Sequence, residues 1–456
     1  MNQRSLRIMQ VNTVDNRGGA AKSAYDLNRS YRARGHKSWL AVGYKGSDDP
    51  DVLLIPQDAL RSRWAKSWLP IMNVFTPIVD EALGAKRMRN LLLWIGQPRR
   101  CLEVRRGHED YDFPGTWRIL YLSPERPEIL HLHNLHGDYF DLRVLPWLSQ
   151  HIPVVMTLHD IWPLSGHCSH FFDCDRWKIG CGECPDLSIY PAILSDATAY
   201  NWWRKRSIYA KCQLYVATDS HWLMDKVEQS MLVPAIVEAR VIHIGVDLTI
   251  FHPGNRSEAR TMLGLPQDAK LLFVSNTTPS NPWRDYATLE KAVKRAAGGL
   301  SDERIIILCL GQERGPDRIG RAEVWSFSYQ KDPATVPRFY QAADIYIHAA
   351  QVDTFPISVL EAFACGTAVV ATAVGGIAEQ IEDGFNGFLV SPGNAEAMAA
   401  RIEMLVRDEE LRCQVAENAV RCARRRFDLI RYAEVYLEWY EKIVGEWYRG
   451  RSHCPL

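Results

Sequence analysis

The sequence predicts an α/β protein built on parallel β-sheets, and three observations lead to this fold class. Residues 344–382 run strand, loop, helix, strand, loop, helix, which is the order of a parallel sheet with helical crossovers. Short apolar runs followed by helical patterns recur on both sides of this segment. The length of 456 residues suits two or three domains. Since parallel sheets bind ligands at the carboxyl ends of their strands, we expect a functional site there.

Composition narrows the class of protein. The 54 Lys and Arg residues balance 54 Asp and Glu residues, so net charge gives no reason to expect a nucleic-acid partner. No cleavage pattern follows the apolar residues 6–14, and the best candidate for a membrane span, residues 68–83, is interrupted by Pro70, Pro77 and the pair Asp80-Glu81. We therefore expect a cytoplasmic protein whose 11 cysteines are free thiols or metal ligands rather than disulfides.

The first strand is predicted at residues 6–11, followed by a loop at 12–21 and a helix at 22–34. The loop carries Gly18 and Gly19, and a glycine pair between strand and helix lets backbone N–H groups approach a phosphate. A turn that needs positive φ explains the same pair equally well. Both interpretations remain open at this point.

Residues 47–128 break the alternation of strands and helices. Tryptophans such as Trp64, Trp68 and Trp94 are mixed there with many arginines and lysines, which predicts a helical insertion. An aromatic, basic helix suits the surface of an anionic bilayer such as the inner face of the plasma membrane. A helical cover packed on the sheet, with a solvated basic face, is the alternative.

His159 directly follows a predicted buried strand at residues 153–158, and the neighbouring strand at 129–133 carries His131 and His133. An isolated histidine is often structural. Because the carboxyl end of a parallel strand delivers side chains to the ligand cleft, the position of His159 favours a functional role.

A cysteine-rich loop covers residues 166–185. Cys168, Cys174, Cys181 and Cys184 could hold a structural zinc ion, since four thiolates suit tetrahedral zinc in a reducing cell. The first pair is spaced more widely than in a zinc ribbon, and free thiols in a packed loop are the alternative.

The second half of the chain starts a new series of strands and helices after a turn at residues 251–254, so we place a linker at about 248–256. A strand is expected at 241–244 before that turn. After it, strands are expected at 271–275, 305–310, 323–327 and 345–347, and a loop carries Arg284. The last segment has a helical apolar stripe that predicts a docking helix.

Two carboxylates flank the loop and helix at the centre of this second series. Asp353 precedes the predicted helix 357–364 and Glu361 lies within it, with seven residues between them. That offset is about two helical turns. The two carboxylates can therefore reach different parts of one extended ligand.

Several motifs together resemble family 4 of the retaining glycosyltransferases, which have the GT-B fold. The matching segments are residues 219–223, 245–247, 251–253, 353–356, 360–367, 375–379 and 384–390. Residues 157–162 and the cysteine-rich loop resemble a subgroup that includes colanic-acid-type exopolysaccharide glycosyltransferases. The resemblance runs from residue 6 to about 440 and is weakest over 47–128.

The resemblance implies two facing Rossmann-like domains. Residues 1–250 would form an N-terminal acceptor domain that includes the insertion and the cysteine-rich loop. Residues 251–428 would bind a nucleotide-sugar donor, and residues 429–456 would form a crossover helix that packs back on the N-terminal domain. The expected partners are a nucleoside-diphosphate sugar and a saccharide or lipid-linked acceptor, with no cofactor for the chemistry.

The resemblance also implies roles for individual residues. Asp353 would contact hydroxyls of the transferred sugar, and Glu361 the ribose hydroxyls. Arg284 stands where the family usually has a lysine for the diphosphate, and an arginine–phosphate fork is chemically suitable there. Gly18 and Gly19 match the glycine loop near the diphosphate. His159 matches a residue beside the donor sugar, and residues 355–356, Phe355 and Pro356, complete the donor loop.

Cleavage of the anomeric bond leaves extra charge on the diphosphate, so Arg284, the glycine-loop amides and the helix N-terminus after Pro356 would stabilise the leaving group. Family resemblance implies attack from the same face, with retention at the anomeric carbon. A nucleotide-sugar epimerase and a non-catalytic sugar-binding scaffold remain alternatives. A glycoside hydrolase is excluded, because its two carboxylates would have to flank one bond.

Overall fold

The computed structural model describes residues 4–16, 18–75, 85–275, 281–311, 317–330, 332 and 334–451. Pro77, Asp80 and Glu81 lie outside the described residues. Within the described part, none of the helices combines the length and apolar character needed to cross a bilayer.

The chain divides into two compact units. The first consists of Met1–Thr218, Met224–Arg240 and Tyr436–Leu456, and the second of Asp219–Leu223 and Val241–Val435. Each unit contains one sheet flanked by helices.

The first sheet has, in its described part, seven strands in the order β3-β2-β1-β4-β5-β6-β7. They are β1 (Arg7–Val14), β2 (Lys37–Tyr44), β3 (Val52–Leu54), β4 (Ile129–Leu132), β5 (Val154–Leu158), β6 (Leu214–Thr218) and β7 (Ile236–Val241). Pairing from β3 through β6 is parallel, with Gln10 opposite His131 and His131 opposite Val155. The strands at the centre are buried on both faces, as expected of a parallel sheet covered by helices.

The helices in the first part of the chain are α1 (Gly19–Ala33), α2 (Arg63–Phe75), α3 (Ala85–Gly96), α4 (Pro98–Arg105), α5 (Leu145–His151), α6 (Thr198–Tyr209) and α7 (His221–Val227). Short 3-10 turns lie at Asp58–Leu60, Pro114–Tyr121, Leu142–Val144, Trp162–Leu164, Arg176–Lys178 and Val233–Ala235. Helices α2 and α3 pack on each other, with the Trp64 indole donating to the Ile95 carbonyl at 2.8 Å.

The second sheet, over the described residues, has the order β10-β11-β9-β8-β12-β13-β14. Its strands are β8 (Lys270–Ser275), β9 (Ile305–Leu310), β10 (Arg318–Ile319), β11 (Ala322–Phe327), β12 (Ile345–His348), β13 (Ala368–Thr372) and β14 (Phe388–Val390). All recorded pairings are parallel except the antiparallel edge pair β10–β11.

The helices of the second part are α8 (Arg256–Met262), α9 (Tyr286–Gly299), α10 (Val336–Ala342), α11 (Ile357–Cys365), α12 (Ile377–Gln380), α13 (Ala395–Arg407), α14 (Glu409–Arg426) and α15 (Leu429–Arg451). One apolar core joins β8, β9, β12 and β13 to α9 and α13. Ala292, Val293 and Ala296 recur at helical spacing, so one face of α9 is buried in this core.

The predicted α/β fold class with two Rossmann-like domains is confirmed. Two local predictions were wrong. The strand expected at 241–244 lies at Ile236–Val241, where alternating half-buried and exposed residues mark an edge strand that lacks a continuous apolar run. The first helix begins at Gly19 instead of residue 22, because β1 continues to Val14 and leaves little room for a loop.

The second half of α15, from Tyr436, counts with the first unit. The side chains of Tyr436, Trp439 and Tyr440 are fully buried, and two of them make hydrogen bonds inside that unit. The Tyr436 hydroxyl lies 2.7 Å from Oγ1 of Thr157, and the Tyr440 hydroxyl lies 2.6 Å from Nδ1 of His131. The apolar stripe of the last segment is thus a packing face that also carries buried hydrogen bonds.

Candidate active site

Arg284, Asp353 and His348 meet after the carboxyl end of β12 in the second unit. Nη1 of Arg284 lies 2.7 Å from Oδ2 of Asp353 and 2.8 Å from Nε2 of His348. The same Asp353 oxygen lies 3.2 Å from Nε2 of His348. The family resemblance implied that Arg284 and Asp353 contact different parts of one ligand, and the structure brings them into a direct ion pair.

Charge and burial set the ionisation of this group. Burial by itself raises the pKa of Asp353, but the hydrogen bond with His348 and the charge of Arg284 outweigh it, so the pKa lies well below its usual value. Burial, reinforced by the charge of Arg284, lowers the pKa of His348 to about 4. At neutral pH the group therefore consists of an aspartate, a guanidinium and a neutral imidazole.

The Asp353 loop is held by a glycine pair that precedes α12. Gly375 has φ +52°, and a Cβ there would lie 1.8 Å from the carbonyl oxygen of Asp353. A Cβ on Gly376 would lie 1.9 Å from the carbonyl oxygen of Thr354. Only glycine permits this close backbone approach. The motif at 375–379 thus fixes the loop that presents Asp353.

Glu361 lies inside α11 and is largely buried, and Oε2 accepts a hydrogen bond from the Tyr340 hydroxyl at 2.9 Å. Helix α11 starts after Pro356, and the side chain of this N-cap residue makes no hydrogen bond to the helix. The first N–H groups of a helix favour an anion. Phe355 is buried, and its ring stacks on His243 at 5.0 Å between centroids.

In the first unit, Gly18 and Gly19 begin α1. Gly18 is the N-cap residue with φ +87°, and Gly19 is the first helical residue. Gly18 has no side chain that could cap this end, and the first N–H groups of α1 favour an anion as those of α11 do. The sequence left two interpretations of Gly18 and Gly19 open, a phosphate-binding loop and a turn that needs positive φ. The two interpretations are compatible, because the positive φ of Gly18 occurs at the N-terminus of a helix.

His159 follows β5 in the first unit and belongs to a buried chain of histidines. Nε2 of His159 lies 3.0 Å from Nδ1 of His133, whose Nε2 lies 2.9 Å from the side-chain oxygen of Gln10. His131 lies next to His133, with ring centroids 4.0 Å apart. Burial lowers the pKa of both His131 and His133 well below the usual value, so both are neutral at pH 7.

Neutral histidines in a chain constrain one another's tautomers. The Gln10 oxygen only accepts, so Nε2 of His133 carries a proton and Nδ1 of His133 accepts from Nε2–H of His159. A neutral His159 then has its lone pair on Nδ1. The chain thus sets the tautomer of a neutral His159.

The cysteine-rich loop also belongs to the first unit. Burial raises the pKa of Cys168 to about 12 and that of Cys181 to about 11. Nε2 of His167 lies 3.3 Å from Sγ of Cys184, and Nδ1 of His167 lies 3.1 Å from the Pro191 carbonyl. Among the described residues of this loop, no three potential ligand atoms lie within 4.8 Å of one another. The donor chemistry suits zinc, but the atoms are spread more widely than the ~3.8 Å between thiolates around one ion.

Three residues of these sites were not predicted from the sequence: His348, Tyr340 and Gln10. The signal for His348 was present, because it ends a buried strand just as His159 follows one. Tyr340 and Gln10 carry no such signal. Tyr340 lies 21 residues from Glu361 on another helix, and Gln10 lies 123 residues from His133.

Two family models match this chain. One described as Glycosyl transferases group 1 matches residues 321–421. The other, described as Glycosyltransferase Family 4, matches residues 17–250, more than half of the chain. The chain belongs to glycosyltransferase family 4. The family assignment made from the motifs is thereby confirmed, whereas the likeness to the colanic-acid subgroup stays a prediction.

Among curated proteins, this family 4 chain is similar to D-inositol 3-phosphate glycosyltransferases. It is 31% identical over 228 residues to the one from Mycobacterium ulcerans. The aligned region covers 46% of this chain and 47% of that protein. It is 34% identical over 197 residues to the one from Actinosynnema mirum, covering 40% of this chain and 47% of that protein. The chain spans about half the length of the curated relatives it matches.

Solved structures share the fold. A glycosyltransferase from Rickettsia africae superposes with a TM-score of 0.62 at 16% identity, covering 97% of this chain and 99% of that chain. Anabaena HepE in complex with UDP-glucose superposes with a TM-score of 0.60 at 17% identity, covering 96% of this chain and all (100%) of that chain. At this identity the likeness shows the fold alone.

Proposed function

We propose that this protein is a retaining glycosyltransferase that moves a sugar from a nucleoside-diphosphate sugar to a saccharide or lipid-linked acceptor in exopolysaccharide or surface-polysaccharide synthesis. Membership of family 4 supports the reaction class. The observation that carries the proposal is the group of Arg284, Asp353 and His348 at the carboxyl end of β12, with Glu361 on the helix that follows. The HepE complex with UDP-glucose shows that a protein of this fold binds such a donor.

Arg284 is the residue that would hold the diphosphate. Its guanidinium is anchored through Nη1 alone in the recorded contacts to Asp353 and His348, and a guanidinium has five N–H donors. A forked contact to phosphate oxygens can therefore form without breaking the ion pair. The N-terminus of α11 adds amide dipoles of the same sign. Both groups stabilise charge that grows as the anomeric bond breaks.

Asp353 would contact hydroxyls of the transferred sugar, and Glu361 the ribose. Both carboxylates are anchored on one oxygen by a neighbour, Asp353 by Arg284 and Glu361 by Tyr340. Positioning of this kind lowers the entropic part of the barrier.

Retention follows from the family resemblance. The acceptor would attack from the face that the diphosphate leaves, so no side chain has to form a covalent intermediate. In the first unit, Gly18, Gly19 and His159 would contribute amides near the diphosphate and a polar contact beside the donor sugar.

The experiment screens nucleoside-diphosphate sugars by thermal shift and then follows transfer to candidate acceptors, with the anomeric configuration of the product read by NMR. Release of nucleoside diphosphate with a retained product supports the proposal. Isomerisation of the sugar without that release identifies an epimerase, and binding without either reaction identifies a scaffold. An inverted product overturns retention.

Variants separate the assigned roles. Glu361→Ala should raise the dissociation constant of the donor by about tenfold, the scale of a hydrogen bond to a charged group. His159→Ala should lower turnover more than donor binding. The matched control is Glu396→Ala, an exposed carboxylate of the same unit. Unchanged donor binding by Glu361→Ala contradicts the ribose role.

We further propose that helices α2 to α4 contact an anionic bilayer, the inner face of the plasma membrane. Large apolar side chains on these helices are exposed beside exposed cations, which is the composition of an interfacial helix. The apolar members are Trp64, Ile71, Val74, Met88, Leu91, Trp94, Ile95, Leu102 and Val104. The exposed cations include Arg63, Lys66, Arg87, Arg99, Arg105 and Arg106.

Flotation with phosphatidylglycerol vesicles tests this contact. The protein should bind these vesicles, bind neutral phosphatidylcholine vesicles far less, and lose binding in Leu91→Ser. Exposed Leu194 in the same unit provides the control Leu194→Ser. Equal flotation of Leu91→Ser and wild type contradicts the proposal, and self-association in the absence of vesicles assigns the apolar surface to a second copy of the chain.

A further inference from the structure

We propose that His221, His243 and Glu379 form a binding site for a divalent transition-metal ion of the zinc class. One ligand atom from each of these side chains lies within 4.8 Å of the other two. Among the described residues, this is the one group of three or more His, Cys, Asp or Glu side chains whose ligand atoms lie this close together. All three residues belong to the second unit.

Three separate elements bring the ligands together. His221 is the first residue of α7, His243 follows β7, and Glu379 lies on α12. The Glu379 carboxylate accepts the backbone N–H of His221 at 2.9 Å through Oε2 and that of Trp222 at 2.8 Å through Oε1. Arg426 donates to the Glu379 carbonyl at 2.9 Å. The carboxylate is therefore held in place before any ion binds.

The hydrogen bond of His243 prepares it as a ligand. Its Nδ1 lies 2.8 Å from the backbone carbonyl oxygen of Asp219, and a carbonyl only accepts. Nδ1 therefore carries the proton of the neutral ring, and Nε2 keeps its lone pair. Histidines that bind metals commonly donate their other N–H in this way, which fixes the tautomer and ring orientation.

The ring of His243 is also fixed by packing. It stacks on Phe355 with a centroid distance of 5.0 Å and an interplanar angle of 11°, and it meets Phe427 edge-on at 6.1 Å. The His221 ring lies 6.0 Å from it at 70°. The two imidazoles are thus close but not stacked, an arrangement in which their lone pairs can converge on one ion.

The ligand types select the metal class. Two imidazoles and one carboxylate suit zinc and related first-row ions, whereas calcium and magnesium prefer oxygen ligands throughout. Three protein ligands leave a fourth position of a tetrahedral ion for water. His221 is exposed, so an ion can reach the site from solvent.

A role of Glu379 as a cap for the backbone of residues 221–222 explains its carboxylate, but it does not explain two imidazoles beside that carboxylate. An ion bound there would join α7 and α12 to the segment that carries His243. Through the stacking of His243 on Phe355, it would also stiffen the donor loop. The site does not depend on the proposed reaction.

The test uses the full chain, freed of metal by dialysis against a chelator and titrated with Zn²⁺ by calorimetry and with Co²⁺ by absorption spectroscopy. We expect His221→Ala to bind one equivalent less than wild type, or to bind that equivalent more than about tenfold more weakly, since even outer partners of a ligand change affinity on this scale. The control His252→Ala removes another exposed histidine of the same unit and should behave as wild type.

Absorption spectroscopy distinguishes metal bound at this site from metal bound by cysteines. The difference between the Co²⁺ spectra of wild type and His221→Ala should lack thiolate charge-transfer absorption, because this site contains no sulfur. Bound Zn²⁺ should also raise the melting temperature of wild type more than that of His221→Ala. Equal stoichiometry and affinity in wild type and His221→Ala overturn the proposal, as does a difference spectrum dominated by thiolate ligation.

Discussion

At the scale of single residues, Asp353 has two opposite effects on the binding of a diphosphate. It orients Arg284 through a 2.7 Å contact, and its charge also offsets the cation that would attract the diphosphate. The pair is well shielded, with side-chain exposures of 15% for Arg284 and 18% for Asp353, so its charge balance matters for ligand binding.

Asp353→Asn should therefore tighten the binding of a free nucleoside diphosphate such as UDP by about tenfold while lowering turnover, since a hydrogen bond to a charged group is worth about 1.5–3 kcal/mol. Calorimetry with UDP and with UDP-sugar, together with initial rates, measures the two effects. Asp302→Asn replaces an exposed aspartate of the same unit and serves as the control. Weaker UDP binding in Asp353→Asn would show that Asp353 supports the site mainly by orienting Arg284.

A second residue-scale prediction concerns Gln10, a positioning residue for His159. Gln10→Leu removes the acceptor for His133, so the tautomer of His159 is no longer set. Turnover should fall about tenfold, the scale of one buried hydrogen bond, with donor affinity unchanged. The pH profile of turnover should shift as well.

Gln10→Glu keeps an acceptor at this position and should recover part of the activity. A loss of donor affinity in parallel with turnover would instead point to a structural role for Gln10.

At the scale of elements, the N-terminus of α1 depends on the backbone conformation of Gly18. Gly18→Ala meets no atom within 4 Å, so its cost comes from φ +87° alone. With ψ 164°, this is a region that is essentially restricted to glycine, and a non-glycine residue there costs about 1–3 kcal/mol. We expect a lower melting temperature together with weaker donor binding.

Gly264→Ala provides a matched control, since Gly264 has φ +67° and also meets no atom within 4 Å. It should lower the melting temperature to a similar degree and leave donor binding intact. If both variants leave donor binding intact, Gly18 has a conformational role only.

The cysteine-rich loop remains a predicted zinc site. Binding of zinc would require the thiols to lose their protons and to move closer together, which a tetrahedral ion can drive. We expect metal analysis of the purified protein to find zinc that is lost in Cys181→Ser, together with a lower melting temperature.

Cys413→Ser is the control, because Cys413 is an exposed thiol on α14. Purified protein without zinc, or equal zinc content in Cys181→Ser and wild type, would assign the loop to free packed thiols.

At the scale of the whole molecule, buried neutral histidines link stability to pH. The pKa of His348 is about 4 in the folded chain, whereas an unfolded histidine titrates near its usual value of about 6.5. The unfolded chain therefore takes up the proton first, and stability falls as the pH drops from about 6.5 toward 4. His348 alone accounts for about 3 kcal/mol across this window, and His131 and His133 act in the same direction.

Melting temperatures measured between pH 7.5 and 4.5 test this linkage. The carboxylates with lowered pKa, such as Asp353, lose their contribution only at lower pH, so the window isolates the histidines. His348→Asn should flatten the dependence, while His151→Asn, at an exposed site, should leave it unchanged. A melting temperature that is constant over this window contradicts the assignment of neutral buried histidines.

Much of the fold and part of the site could be predicted from the order of residues. The strands that lead to His159 and His348 were visible as apolar runs, because a strand buried on both faces consists mainly of apolar residues. The edge strand β7 was misplaced, since only one of its faces is packed and its pattern is weak. The family motifs located Arg284, Asp353 and Glu361.

The sequence by itself determined the α/β class and the family, since both depend on residues that are neighbours along the chain. Only the tertiary structure decided that Arg284 pairs with Asp353, that Gln10 reaches His133, and that His221, His243 and Glu379 meet. These contacts join residues on different elements, 69 apart along the chain in the first case and 123 in the second. Their distances follow from the packing of whole helices and strands, which local patterns do not encode.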